Sequence, residues 1–587
     1  MIDWLRKRFT GIHASNLTSA SEQQATHKSA EAHKQHGDEY LDLGRYAEAE
    51  SCYRDALICN PHFAEALGNL SSACRALQRY DEAEDCLRRA IHIKPNDANL
   101  HYNLATLLMM SRRQDEAIDE FAEAVHFNPE HDAARAVMLH LMQLACHWRT
   151  LEEHSQVLRR SAINPATIPE SVISPFIFVA LPGTTLHEQF CCAKKWARAE
   201  YGHLAGMRVS LGFSHARALG QKVNVGYLSG DLSDHPVAKL MAEVVALHDR
   251  DRFRVVAYSY GPDDKSALRS QLKAAFDEFV DIQACSDVDA AKRIYSDKVD
   301  VLVDLTGYTK NSRTGILALQ PSPKQIAFLG YPGTLGAEFV DYFITDRFVT
   351  PPETQKYFSE KFLYMPNSFF PANRTQNIAK VAPSRHACGL PDHGFVFCCF
   401  NKSYKLSPQV FSVWMRLLRA VAGSVLWLSD CDAPAKTNLR HEASRLGVDE
   451  QRIVFAPRTD TVAEHLARHC HADLFLDTLP YNAHTTCSDA LWMGLPVVTC
   501  AGATFTSRVA GSLLSAIGLP ELITYRLEDY YKLALELARD ASRLATIRRK
   551  LLAHRDTTSL FDSMGFTRGL ENLYTSVLAP SPTANAR

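Results

Sequence analysis

Two hydrophobic rhythms divide this chain. Up to about residue 215 the apolar positions recur at helical spacing. From residue 222 short apolar runs alternate with amphipathic helical stretches. The first runs are Val223-Asn-Val-Gly-Tyr-Leu-Ser, Val255-Val-Ala-Tyr-Ser-Tyr, Val299-Asp-Val-Leu-Val-Asp-Leu and Gln325-Ile-Ala-Phe-Leu-Gly. A second set reads Phe395-Val-Phe-Cys-Cys-Phe, Ser424-Val-Leu-Trp-Leu-Ser, Arg452-Ile-Val-Phe-Ala, Asp473-Leu-Phe-Leu-Asp and Pro496-Val-Val-Thr, with helices between, as at 407–420, 460–470 and 485–493. Such alternation predicts parallel sheets whose strands are buried on both faces. The run 371–394, with Pro371, Pro383 and Pro391, is the natural linker between two lobes of this kind. Ligands of open parallel sheets lie beyond the strand C-termini, so two facing lobes predict a cleft.

The helical part is periodic. Pro61, Pro95 and Pro129 are spaced by 34 residues, twice. Aligned on them, Ala49, Ala83 and Ala117 form one column, Ala56, Ala90 and Ala124 another, and Tyr53, Leu87 and Phe121 a third; Gly37, Ser71 and Ala105 are all small. Small residues where helices cross, bulky ones in the groove and proline at the closing turn match the tetratricopeptide pattern. Each helix pair leaves an apolar face that only a neighbouring pair can bury, and the stack leaves a concave surface. That surface suits an extended protein segment; a scaffold that only stiffens the N-terminus is the alternative. The expected fold is thus α + α/β. A flexible leader over 1–29, three repeats over 30–131 and a helical connector over 132–215 come first. A first lobe over 216–380, a second over 381–558, and a helix and tail over 559–587 follow.

Composition narrows the function. The 587 residues are 46% hydrophobic and 22% charged with net charge −2, which gives no basic field of the kind that grips nucleic acid. Fifteen cysteines are scattered, without a C-x-x-C pair, and favour reduced thiols and a cytoplasmic protein. The N-terminus, with Trp4, Arg6, Lys7, Arg8 and Phe9, lacks a secretory apolar run and at most touches a membrane surface; no apolar stretch is long enough to span one. No G-x-G-x-x-G or G-x-x-x-x-G-K-[ST] is present, which argues against nicotinamide and P-loop nucleotides.

Polar residues gather after the apolar runs instead. Asp477-Thr-Leu-Pro-Tyr-Asn-Ala-His484-Thr485-Thr486-Cys-Ser-Asp489 reads as strand, loop and the opening of a helix. Free amides and hydroxyls at a helix start suit a diphosphate, with Asp489 one turn on to accept from ribose hydroxyls; simple threonine capping is the other reading. His465 and Arg468 are i,i+3 neighbours, so an imidazole can stack on a base and a guanidinium can bond its carbonyl edge, unless the pair is a solvated helix face. Lys405 follows a strand, where a cation stabilises a departing diphosphate. His235, at another strand end, can take a proton from an acceptor hydroxyl or orient a sugar. Gly330-Tyr-Pro-Gly333-Thr334-Leu-Gly336 lets donor or acceptor approach, or is a turn. Asp430-Cys-Asp432 and Asp287-Val-Asp289 have the Asp-x-Asp form of metal-dependent sugar-nucleotide enzymes, but such coincidences are common and no metal is expected.

In this order the pieces resemble the O-linked N-acetylglucosamine transferase family, over roughly residues 30–578. The matching motifs are His-Pro at 235–236, Gly-Tyr-Pro-Gly-Thr at 330–334, Tyr-Lys at 404–405, and Asn-x-His-Thr-Thr at 482–486 with Asp489. The resemblance implies two catalytic lobes of the GT-B type behind tetratricopeptide repeats, in a bacterial, short-repeat member. It implies transfer of N-acetylglucosamine from UDP-GlcNAc to protein serine or threonine with inversion, by direct attack of the acceptor hydroxyl. On this reading His235 is the base or sugar-positioning residue and Lys405 the leaving-group lysine. His465 and Arg468 contact uracil, His484, Thr485 and Thr486 the diphosphate, and Asp489 the ribose. Lys402 and Asp460 complete the donor site, and Gly333, Thr334 and Tyr404 a sugar or acceptor loop. Lys402 and Val462 depart from the glutamine and lysine of animal members. Open alternatives are another UDP-hexose, an asparagine acceptor, or a repeat-based adaptor whose lobes bind UDP without turnover.

Overall fold

The structure, a computed structural model, describes residues 20–164, 172–215, 221–374 and 377–579. The Trp4–Phe9 cluster and the last eight residues lie outside them. The described residues up to Met138 form one compact unit and those from Leu139 a second.

The first unit contains three helix pairs: Ala20–Asp42 with Tyr46–Cys59, Ala64–Ala76 with Tyr80–Ile93, and Ala98–Met110 with Gln114–Phe127. The leader expected over 1–29 is corrected from Ala20 onward, where alanine, glutamine and glutamate, all good helix formers, extend the first helix. The two alanine columns are fully buried, as are Tyr53 and Phe121. A Cβ on Gly37 would lie 2.6 Å from the Tyr53 ring, so this crossing takes glycine.

The second unit contains two all-parallel sheets. The first has seven strands: β1 (Val223–Ser229), β2 (Phe253–Ser259), β3 (Glu278–Asp281), β4 (Val301–Asp304), β5 (Lys324–Ala327), β6 (Tyr342–Thr345) and β7 (Lys361–Tyr364), in the order β3-β2-β1-β4-β5-β6-β7. The second has six: β8 (Val396–Cys399), β9 (Val425–Ser429), β10 (Ile453–Ala456), β11 (Leu474–Leu476), β12 (Val497–Cys500) and β13 (Ile523–Thr524), in the order β10-β9-β8-β11-β12-β13. Strand order reverses between β1 and β4 and between β8 and β11, the crevices where such sheets place their ligands. β4 and β8 are buried at every position, as a strand covered on both faces must be.

The described residues between 139 and 215 pack on both lobes. Trp148 lies 5.5 Å from Phe411, and Ala145 O accepts from Asn438 Nδ2 at 2.9 Å. On the first lobe, Tyr201 stacks over Tyr308 at 6.3 Å. The lobes also meet directly: Arg508 Nε donates to Phe348 O at 2.7 Å and Ser512 Oγ to Asp346 Oδ2 at 2.6 Å. The last helix, Ser563–Leu578, returns to the first lobe, where Ser563 Oγ donates to Glu243 at 2.8 Å. Among the described residues no helix is long and apolar enough to cross a membrane.

Candidate functional site

Because β8 and β11 are neighbours, the loops that leave them open on one edge. Asp477, just past β11, organises both. Its Oδ1 accepts from the amides of Ala483 at 2.6 Å and Thr478 at 2.7 Å, and its Oδ2 accepts from Thr499 Oγ1 at 2.6 Å. Burial pushes its carboxyl up to about 6 against these donors. Asn401, past β8, donates to Thr478 Oγ1 at 2.7 Å and accepts from the Thr486 hydroxyl. The loop that enters the Thr485–Trp492 helix is therefore fixed before any ligand arrives.

Lys405 ends the short turn Ser403–Lys405. Its Nζ donates to Asn482 O at 2.9 Å and sits 4.0 Å from the centroid of the Tyr481 ring. Burial lowers its ammonium to about 8, although nearby Asp477 opposes that. An ammonium has three donors, so one bond to Asn482 leaves others for an anion.

His484, not a threonine, occupies the cap position of the Thr485–Trp492 helix and makes no side-chain cap bond. Thr485 and Thr486 are thus first-turn residues whose amides have no intrahelical acceptor. The Thr486 hydroxyl proton is committed to Asn401, so this residue offers an anion its amide. Burial and the adjacent Lys405 hold the His484 imidazole well below its usual value, and its Nε2 is buried without a partner within the protein. Asp489 lies half-buried one turn into the helix.

Past β10, His465 and Arg468 come together differently from the expectation. Arg468 is only 5% exposed. It donates to Pro457 O at 2.7 Å, reaches His465 Nδ1 at 2.5 Å and lies over the Phe400 ring at 4.5 Å. The guanidinium faces inward and supports His465 instead of presenting a free edge to a base; burial in an aromatic niche is the reason. The His465 ring is lowered to about 3, first by burial and then by His469 and Arg468, and is a neutral, half-buried surface. Lys402 and Asp460 are exposed at the ends of these loops.

In the first lobe His235 caps the Pro236–Ala246 helix, its Nδ1 accepting from Val237 N at 3.4 Å; Asp231 Oδ2 is 3.7 Å from the same nitrogen. Thr334 turns away from open space: its Oγ1 donates to Glu360 at 2.6 Å, and Leu335 N bonds the same carboxylate at 2.6 Å. Glu360 is fully buried and pushed up to about 7 by that burial. A Cβ on Gly330 would meet Leu305 O at 2.0 Å, so the glycine serves close approach. Gly333 packs against the Tyr331 ring, and Tyr404 stands between His140 at 5.7 Å and Tyr481 at 5.8 Å. Of the Asp-x-Asp pairs, Asp287 is paired with Arg313 at 2.7 Å and Asp430 with Lys436 at 2.7 Å.

Sequence reasoning passed over Asp477 and Asn401 as site residues, although Asp477 ends one predicted strand and Asn401 directly follows another. It missed Glu360 altogether, because nothing local ties it to a loop 26 residues earlier.

Residues 207–382 and 371–570 match glycosyl transferase family 41. The chain belongs to that family. Within family 41 the second unit accounts for the match, while residues 34–98 match the tetratricopeptide repeat. One similar protein is the probable UDP-N-acetylglucosamine–peptide N-acetylglucosaminyltransferase SEC of Arabidopsis thaliana, 34% identical over 461 residues, covering 74% of this chain and 46% of that protein. A Caenorhabditis elegans UDP-N-acetylglucosamine–peptide N-acetylglucosaminyltransferase is 30% identical over 466 residues, covering 60% of this chain and 40% of that one. The chain therefore spans less than half the length of these curated relatives. Among solved structures, a mutant O-GlcNAc transferase of Thermobaculum terrenum superposes with a TM-score of 0.65 at 26% identity, covering 95% of this chain and 98% of that one.

Proposed function

We propose that this chain is a cytoplasmic inverting transferase that moves N-acetylglucosamine from UDP-GlcNAc to serine or threonine hydroxyls of proteins held by the repeats. The observation that carries this is the pairing of the Lys405 ammonium with the uncapped start of the Thr485–Trp492 helix, two cationic features at one edge of the second sheet. A pyrophosphate bound there takes hydrogen bonds from the Thr485 and Thr486 amides and from Lys405. Negative charge grows on it as the glycosidic bond breaks, and fixed donors stabilise that charge more than the ground state. No metal is required, because these groups supply the positive potential.

In this reading the His465 ring stacks on uracil and Arg468 acts only by holding that ring. Asp489 bonds the ribose, and Lys402 and Asp460 border the donor. Of the two roles open to His235, its cap geometry supports the second. Nδ1 accepts from Val237 N–H, so in the neutral ring the proton is on Nε2, which then donates to sugar or acceptor and cannot remove a proton. Gly333 and Tyr404 border the acceptor side.

Incubation with a panel of UDP-sugars and a peptide library tests the proposal. UDP-GlcNAc should be consumed preferentially, with sugar found on serine or threonine. Lys405→Ala should lower the rate on the order of 10²–10³-fold. Transfer of another hexose, or to asparagine, would redirect it; UDP binding without turnover would make the chain an adaptor.

A further inference from the structure

The Lys405 ammonium does not rest on a carboxylate. Its Nζ donates to one carbonyl, Asn482 O at 2.9 Å, and lies over one aromatic face, that of Tyr481 at 4.0 Å. Tyr481 is 6% exposed, and its ring is clamped on two further sides. Tyr404 meets it edge-on at 5.8 Å and 82°, and His484 lies 5.0 Å away at 40°. The backbone is pinned as well, since Tyr481 O accepts from Thr478 Oγ1 at 2.6 Å. A face so held cannot turn away from the amine above it.

We propose that Tyr481 is the positioning residue of Lys405, its ring face keeping the amine charged and fixed beside the start of the Thr485–Trp492 helix. The inference rests on the leaving-group role of Lys405 argued above. Ring quadrupoles attract cations most strongly where water is excluded, and this amine is largely buried. Against burial, the ring and the Asp477 charge are what keep the proton on Lys405.

The other groups facing the amine are silent between pH 7 and 10. Asp477 titrates near 6, and burial raises the Cys399 thiol beyond the window. The Tyr404 phenol is raised to about 12, Tyr481 still higher, and His484 is lowered out of range. The uracil of UDP loses its N3 proton toward the alkaline end of this window, so Lys405 is reported by the decline that wild type shows in excess of Lys405→Met.

The test is UDP affinity by calorimetry from pH 6.5 to 10 on the full chain. Wild type should bind progressively more weakly as pH rises past about 8. Tyr481→Phe keeps the face and should follow wild type. Tyr481→Leu should begin its decline about half to one and a half pH units lower, the shift a cation–π contact confers. Tyr481→Met, which fills similar space, serves the same purpose where the leucine variant does not fold. A leucine or methionine curve superimposable on wild type would overturn the proposal, as would a phenylalanine curve that follows leucine. If Lys405→Met shows the same alkaline decline as wild type, the lysine reading itself fails, and an absence of UDP binding in wild type removes the donor site altogether.

Discussion

A lysine ammonium held largely out of water carries a cost that its ligand removes, and the sign of that cost is measurable. Folding lowers Lys405 from 10.5 to about 8, so between those values the unfolded chain binds more protons than the folded one. Stability contributed by this group therefore rises with pH across the window. Lys405→Met has no such term. Urea midpoints of wild type relative to the methionine variant should increase from about pH 8 to 10, and equal pH slopes would show that the amine is not desolvated. Saturating UDP should reverse the order at pH 7, stabilising wild type more, because binding to the folded state alone adds stability in proportion to affinity.

At the scale of elements, the strands read from sequence were those with long apolar runs: β1, β2, β4, β5 and β8 to β12. The four not foreseen have reasons of their own. β3 and β7 are sheet edges whose half-exposed sequences, Glu-Phe-Val-Asp and Lys-Phe-Leu-Tyr, carry charge that blunts an edge. β13 has two residues. β6, Tyr342–Thr345, is nearly all buried, but no helix separates it from β5, so it falls outside the strand–helix alternation by which the other strands were read. Site loops were legible for the same reason as the strands, since polar clusters directly followed them; what escaped were contacts between distant segments, such as Glu360 with Thr334 or Arg468 with the Phe400 ring. The role of the described residues between 139 and 215 also depended on such contacts. Gly336 has φ +63° and sits against the backbone of that segment, where a Cβ would lie 2.5 Å from Lys194 N. Gly336→Ala combines a left-handed penalty with a clash against backbone, together about 2–4 kcal/mol. Differential scanning calorimetry should show a clear drop in melting temperature, and an unchanged value would mean that the helix can move aside.

At the scale of the whole molecule, the chain end ties the lobes together through a fully buried group. Glu571 lies on the last helix, and its Oε1 accepts from Asp249 N at 2.8 Å and lies 3.1 Å from His248 Nδ1. Burial lowers the His248 ring, so it is a neutral donor to Glu571, with its Nε2 2.8 Å from the Tyr227 hydroxyl. Burial would raise the Glu571 carboxyl, but His248, the Asp249 amide and Arg568 at 2.6 Å outweigh it and bring it to about 2. A depressed carboxylate contributes stability that is present above its unfolded value near 4.5 and is lost as pH falls toward 2. Glu571→Gln keeps one oxygen for the paired donors but turns an NH2 toward Arg568, forfeiting a charge-assisted bond worth about 2–3 kcal/mol. The expected result is earlier proteolytic cleavage near residue 562 and a lower urea midpoint at pH 7, with the gap to wild type closing as pH falls below about 4. UDP affinity should be unchanged, because the proposed nucleotide pocket is built on the second sheet and the latch on the first. A variant that loses UDP binding in step with its latch would mean that the lobes are coupled more tightly than this packing requires.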